Sequence, residues 1–475
     1  MNQLTKRILI FISGILFFAV SFQNVQAQTY VDYFECQKGK PIIWHPKGNP
    51  YIIRLNVELP PDCRLIILPG VQVIIEHPNI LTIRGTLQVL GGRGNPVHFT
   101  SDIPDYYNAN NLEPFKYMNT GEDTSQLCIE NGKASFKHVV FDYLQYAIRG
   151  YDSIIDVNNC TFSNNFFRVI WLQRSDLSMT ESIITGTMPF GLIEQKGEAI
   201  DVSNWDNSDP RTVEIVDNRI VSNPPTQNPD IRFNGISLGG NLIFNIIGNT
   251  LSDQPMAHGL NFDGIEQDGI CFIPDGKIVN NTMIGPTHIG IHIYNEGDPK
   301  IILDFLEQRP LLIQDNDLYL GPAIQAWYSN VNIISNCIKF HSQLASGNGC
   351  GIVLKQFSKA SIIGNSILHY ENGVRFEDHV SLFAELNEIS ENNVGFSGDS
   401  WIDAIVQKNN IDNINGNIQI GNCDENVLVP NNWWGTTDPD VIINKIHSHC
   451  TPERLREIIL YQPIAFAPFI IECDK

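Results

Sequence analysis

Positive charge is scarce in this chain: 31 Lys and Arg stand against 52 Asp and Glu, a formal net charge of −21. That shortage argues against nucleic acid, whose phosphates are bound through Lys and Arg. It also disfavours a polyanion, unless a local basic patch or bridging cations hold it. Long apolar runs are missing too. The run near the start, Ile8–Val20, has 13 residues, against about 20 for a membrane-spanning helix. It follows Lys6 and Arg7 and precedes Val25-Gln26-Ala27, the charged, apolar, small-residue order of a secretory signal peptide. Residues 1–27 are therefore expected to be removed. The exported product is expected not to span a membrane, and to be secreted or at the cell surface, with the periplasm as an alternative compartment. Loss of the two cations of that segment takes the charge to −23. None of the ten cysteines forms a C-x-x-C pair, so a zinc site is not expected. In an oxidising compartment Cys36 with Cys63, and Cys450 with Cys473, could staple the two ends. Cys160, Cys271 and Cys337 fall at apolar repeat positions and read as buried free thiols.

What the chain has in abundance is a repeat. Asn, any residue, then an apolar residue recurs at Asn218, Asn249, Asn281, Asn316, Asn336, Asn365, Asn387 and Asn409, and a further step reaches Asn432. Val139-Val140-Phe141, Cys160-Thr161-Phe162 and Ser182-Ile183-Ile184 fit the same slot. The shorter steps are 20 to 23 residues, and the middle of the chain carries insertions. A second signal follows many slots: Gly, apolar, any, apolar, as in Gly235-Ile236-Ser237-Leu238, Gly290-Ile291-His292-Ile293, Gly351-Ile352-Val353-Leu354 and Gly373-Val374-Arg375-Phe376. The alternation has period two, the mark of strands, and not the 3.6 of a helix. Each unit is too small to bury its apolar face alone, so stacked coils must share one core. An asparagine at the same corner of every coil can bond its neighbours and the backbone, a structural use of the residue type. From Leu65 to Ser101, alternating runs separated by Pro69-Gly70, Arg84-Gly85 and Gly94-Asn95-Pro96 read as shorter opening coils. Residues 102–126 break the pattern and read as a surface loop.

Pro69-Gly70-Val71, Gly85-Thr86-Leu87 and the run Gly94-Asn95-Pro96-Val97-His98-Phe99-Thr100-Ser101, followed by the asparagine-centred coils, resemble the right-handed parallel β-helix, or pectate-lyase-like, family of exported bacterial proteins. Asn431-Asn432-Trp433-Trp434-Gly435-Thr436-Thr437-Asp438-Pro439 resembles the motif that closes such helices. The resemblance implies an all-β fold, a right-handed parallel β-helix solenoid of about a dozen coils with N- and C-terminal caps. Residues 28–64 are expected to form the N-terminal cap, 65–435 the β-helix, and 436–475 a C-terminal cap helix and tail. Trp433 and Trp434 are read as packing on the last coil, with Asp438 as helix N-cap and Pro439 as the first helical residue. Members of this family act on acidic polysaccharides, often with Ca²⁺-binding carboxylates and a Lys or Arg base. No run here matches a specific enzyme motif of the family, so no catalytic residue is carried over.

Candidate residues come instead from geometry. In the Gly-apolar-x-apolar strands, x and the residue two places on point outward. Stacking then aligns Ser237, His292, Gln325, Val353 and Arg375 in one row and Tyr294, Trp327, Lys355 and Glu377 in the next. His292, Lys355, Arg375 and Glu377 are the candidate catalytic residues, with Tyr294, Trp327 and Trp205 as substrate-binding residues. A Lys or Arg beside a carboxylated sugar could take a proton α to the carboxyl group. Carboxylates on the longer middle coils (Asp206, Asp209, Asp263, Glu266, Asp268, Glu296 and Asp298, with Arg211 beside them) could bind Ca²⁺ or act as acid and base. No metal ligand set is assigned, and Ca²⁺ is the one cofactor considered. Asp378, His379 and His288 read as turn and surface residues. The expected function is association with extracellular polysaccharide, with lyase, epimerase or hydrolase chemistry on it; the alternative is a non-catalytic glycan-binding or adhesive surface protein. The chain is expected to be a monomer.

Overall fold

The computed structural model describes residues 28–102, 126–165, 168–185, 197–205, 209–221, 233–252, 258–267, 270–285, 289–307, 309–319, 321–340, 349–399, 401, 403–422, 426–448, 450–460 and 464–471. The loop expected at 102–126 lies almost wholly outside them, as do Asp206, Asp268 and His288.

The chain winds through three long sheets in rotation, and each strand pairs in parallel with its counterpart one coil later. One sheet has 15 strands, most of three residues from Thr161–Ser163 onward, each following a ladder position. The second, the site sheet, runs from Val57–Leu59 to Ile446–Ser448 and holds the longest strands. The third runs from Ile42–Trp44 to Ile459–Leu460. The fold is therefore an all-β parallel β-helix. Among the described residues it makes 15 turns, more than the dozen expected.

The inward residues alternate with outward ones and form one continuous core. Identical positions stack: the Phe99, Phe141 and Phe162 rings follow one another at 5.4 and 4.8 Å. Parallel stacking forces this, since a coil rises by only about 4.8 Å and puts like residues over like.

Register is held by the asparagines. From Asn218 to Asn409, each backbone N–H donates to Oδ1 of the asparagine one coil on, at 2.8–2.9 Å. Each Nδ2 donates to the same Oδ1 and to a main-chain carbonyl of the preceding coil. Ser182 and Cys160 continue the line upstream: Ser182 N–H donates to Asn218 at 2.8 Å, and Cys160 N–H to Ser182 Oγ at 3.0 Å. The residue before each ladder position, from Asn159 to Asn431, has φ of 48–68°. A left-handed residue followed by a buried asparagine thus turns the chain tightly at this corner. Insertions fall at other corners, so sequence steps of 20 to 36 residues keep one register.

Both ends are closed. At the N-terminal end Phe34, Trp44 and Tyr51 stack beside the Cys36–Cys63 disulfide. At the C-terminal end Asn432 is the last ladder rung, donating to the Val406 and Val429 carbonyls at 2.8 Å. Trp434 is fully buried. The Trp433 main chain pairs with the last short strand, Ile411 N–H donating to its carbonyl at 2.7 Å. Asp438 caps the helix Pro439–Asn444 by accepting from Asp440 N–H at 2.9 Å. No helix among the described residues is long and apolar enough to cross a membrane.

One cysteine reading is corrected. Cys337 is disulfide-bonded, not a free thiol. It begins the strand Cys337–Lys339, and the residue is buried. Cys160 is buried and free, its thiol pushed up to about 12 by burial. Cys450 is disulfide-bonded; Cys473 and the Cys271 side chain lie outside the described residues. Asp378 and His379 form a turn, with φ of 58 and 63°.

Candidate functional site

The outward face of the site sheet gathers most of the candidate residues. Strand pairing puts His292 beside Gln325, Gln325 beside Val353, and Val353 beside Arg375. Tyr294, Trp327 and Lys355 form the adjoining row. The first row is the one the sequence predicts, with Asn261 inserted between Ser237 and His292; in the second, the strand pairing reaches Lys355, and Glu377 follows directly after the strand Asn372–Phe376.

In the cluster at the later coils two cations share one carboxylate. Glu377 sits 3.1 Å from Lys355 Nζ and also pairs with Arg375. Lys355 Nζ lies 5.5 Å from the Trp327 ring centroid, and Tyr294 meets Trp327 edge-on at 5.4 Å. Asp399 adds a second acid nearby. Burial, and after it the Glu377 charge, push its carboxyl above the usual range. The cluster thus sets two cations against two carboxylates. Burial also raises the Tyr294 hydroxyl. His292 Nδ1 donates to Asn261 Oδ1 at 2.9 Å, and Asn261 Nδ2 donates to Asp263 Oδ2 at 2.6 Å, so the imidazole is oriented through an amide by a carboxylate.

Trp205 joins this strip although it stands on an earlier coil. A Cβ at Gly239 would run into the Trp205 ring. Gly239 pairs with Asp263, and Asp263 with Tyr294. The glycine therefore makes room for an indole to lie on the sheet, in line with Tyr294 and Trp327.

The remaining loop candidates lie elsewhere. Arg211 is on the third sheet, 3.5 Å from Asp176. Asp298 caps the helix Pro299–Leu306 by accepting from Lys300 N–H. Glu296 is exposed, as is Asp209, whose carbonyl accepts from Asn204 Nδ2 at 3.0 Å. The Glu266 side chain lies outside the described residues. Among the described residues no group of three or more His, Cys, Asp or Glu is placed to hold a metal ion.

A second cluster occupies the same face and was missed in the sequence. Arg168 Nε lies 2.9 Å from Glu198 Oε2, and its Nη1 lies 3.0 Å from Asp201 Oδ2. These side chains are largely enclosed, with 25% of Arg168, 10% of Glu198 and 15% of Asp201 exposed. Burial first, and then the Glu198 carboxylate, push the Asp201 carboxyl well above the usual range, with Arg168 opposing. Asn234, almost fully buried, donates Nδ2 to Glu198 Oε1 at 3.3 Å, while its own Oδ1 has no hydrogen-bond partner among the described residues. Trp171 lies alongside, with the guanidinium carbons of Arg149 and Arg168 4.6 and 5.4 Å from its ring centroid. Arg149 is itself held by the Tyr151 hydroxyl at 2.7 Å. The signal that could have found this cluster is present. Ala199-Ile200-Asp201-Val202 and Ala147-Ile148-Arg149-Gly150 are the same strand motif with alanine in place of glycine.

From Trp171 to Arg375 the face advances by seven coil steps, roughly 34 Å at about 4.8 Å per step. Aromatic rings and charged groups both occur along it. No family model matches the chain, and no curated protein matches it in sequence.

Proposed function

We propose that this protein is exported and associates with extracellular polysaccharide, bound as an extended chain along the outer face of the site sheet. One observation carries this reading. Trp171, Trp205, Tyr294 and Trp327 are spread along a straight face, interleaved with Arg, Lys, Asp, Glu and Asn side chains. Sugar rings offer apolar C–H faces that stack on aromatic rings, and hydroxyls that pair with carboxylates, amides and guanidinium groups. A long linear polymer repeats both features along its length. The resemblance to the pectate-lyase-like family points the same way. The balance of cations and carboxylates within each cluster favours a polymer that is largely uncharged over a polyuronate.

Catalysis on that polymer, as a lyase, epimerase or hydrolase using His292, Lys355, Arg375 and Glu377, is part of the proposal. A non-catalytic glycan-binding surface is the second reading, favoured by the mutual pairing of Lys355, Arg375 and Glu377. Chain 28–475 is presented with xylan, mannan, arabinogalactan, polygalacturonate and alginate. Retention on the polymer, new reducing ends and ultraviolet absorbance of unsaturated ends are followed together. Retention by at least one polymer is expected, weakened tenfold or more by Trp327→Ala or Trp171→Ala. Equal retention of both variants sinks the binding face. Turnover that survives Lys355→Ala and Arg375→Ala removes the catalytic role of the later cluster.

A further inference from the structure

The strongest unassigned feature is the enclosed group formed by Arg168, Glu198, Asp201 and Asn234. In the later cluster two cations share the Glu377 carboxylate. Here two carboxyl groups are held on one guanidinium, next to an indole and an amide oxygen that lacks a partner among the described residues. A buried acceptor left unsatisfied costs free energy unless a ligand or water donates to it. Asn234 Oδ1 is thus placed for a hydroxyl donor beside Glu198, and the Trp171 ring offers a stacking surface one coil away from Asp201.

Building on the polysaccharide reading above, we propose that the Glu198–Asp201 pair is the proton donor of a glycoside-cleaving site for a largely neutral polymer seated on Trp171. The Asp201 carboxyl gives its proton to the glycosidic oxygen. The bond between that oxygen and the anomeric carbon breaks, its electron pair stays with the oxygen, and the leaving sugar departs as an alcohol. Water adds its oxygen to the anomeric carbon and gives up a proton to Asp263. Exchange with solvent returns a proton to Asp201 and removes one from Asp263, so the net change is one bond hydrolysed by one water.

Asp263 suits the second role. It stands on the same face two coils beyond Asp201, its charge is felt there, and Asn261 fixes its carboxylate. Asp263 lies two coils on and two strand positions along from Asp201, with Ser237 and Asn261 between them on the face, and an inverting glycosidase holds a water between its acid and its base. Arg168 is a positioning residue: it holds both carboxyls and balances the negative charge left after proton transfer. The charged groups facing Asp201 are Glu198 on its own strand, Arg168 one coil before and Asp263 two coils after. The environment keeps a proton on the pair at a pH where an exposed carboxyl has lost it, which is what a general acid near neutrality needs.

The test uses chain 28–475 and the same five polymers, with retention and reducing ends read separately. Glu198→Gln and Asp201→Asn are expected to lower reducing-end release by about 100-fold or more, with retention within threefold of the parent. Retention without reducing ends on every polymer overturns the catalytic proposal and keeps the binding reading. So does cleavage that survives both substitutions. Retention by none of the five overturns both. Where a variant fails to fold, judged by circular dichroism, the parent's pH profile decides. Activity lost on an alkaline limb well above the ordinary carboxylate range supports the pair as acid, and activity lost only within that range overturns it.

Discussion

Leu386 is poorly suited to the turn it occupies. Its φ of 57° is left-handed, and at 39% exposure it has little packing to compensate. Equivalent turns use Asp217, Asn280, Asp315 and Asn431, or Gly248 and Gly364, residues that reach this region at lower cost. Leu386→Asn is therefore expected to stabilise the fold by about 0.5–1 kcal/mol, and Leu386→Ala to leave it nearly unchanged. Chemical unfolding measures both, and equal midpoints for the Asn and Ala variants refute the strain. Asp201 makes an opposite case. Its folded carboxyl is raised by burial and by Glu198, so the ionised form is favoured in the unfolded chain. The stability it contributes is complete below the unfolded value of about 4 and is lost as pH rises through the folded one. Asp201→Asn should gain stability relative to the parent as pH increases across that window. Parallel melting curves at every pH refute the raised carboxyl. A residue placed only for stability would show no such liability, and binding or catalysis is where such costs are tolerated.

The ladder asparagines act as one element. Asn365 Oδ1 accepts from the backbone N–H and the Nδ2 of Asn336 at 2.9 Å, and its own Nδ2 donates to Ile333, Ile363 and Asn387. Asn365→Ala leaves several buried groups unpaired at once and is expected to cost about 3 kcal/mol or more. Asn365→Ser should cost less, since Ser182 accepts from Cys160 N–H in the same slot at 3.0 Å. Denaturant unfolding checks the order Asn, Ser, Ala, and an alanine variant no weaker than serine breaks the argument. This element was legible in the sequence because successive coils from Asn218 to Asn432 repeat it with one residue type at one corner. The site face was legible only in part. The later rows were found because Gly351, Gly373 and Gly395 mark them, and a Cβ at any of these would press on a neighbouring coil at 2.5–2.7 Å. The Arg168–Glu198–Asp201 cluster escaped for a physical reason. Its coils carry Val169 and Ala199 where the later ones carry glycine, and Arg168 and Glu198 lie on a row at the strand start that the alternation does not reach.

A solenoid of three sheets has three open edges at each end, and how those edges are closed decides whether the molecule stays single. At the C-terminal end each is met separately. The last short strand, Asn410–Asp412, pairs with Trp433, and Asn410 exchanges side-chain hydrogen bonds with the Phe469 main chain at 2.8 Å. The site-sheet strand Gly416–Ile420 is covered by Ile446–Ser448, and Val427–Leu428 on the third sheet by Ile459–Leu460. The helices Pro439–Asn444 and Pro452–Ile458 carry the chain between these positions, and Ile442, Ile443, Leu455 and Ile458 close the core. Residues 436–475 therefore supply two terminal strands and an apolar lid. A chain ending at residue 435 would keep the whole asparagine ladder and Trp434, yet expose two unpaired strand edges and the side chains of the last coil. Unpaired parallel edges template pairing with other chains, and a repeat array without its polar terminal unit is insoluble. The shortened chain is expected to self-associate, giving a broad, concentration-dependent mass in sedimentation velocity where the full chain gives a single species. A truncated chain that stays monomeric and keeps its melting temperature would mean that the last coil needs no cover, and that the tail is held there for some other purpose.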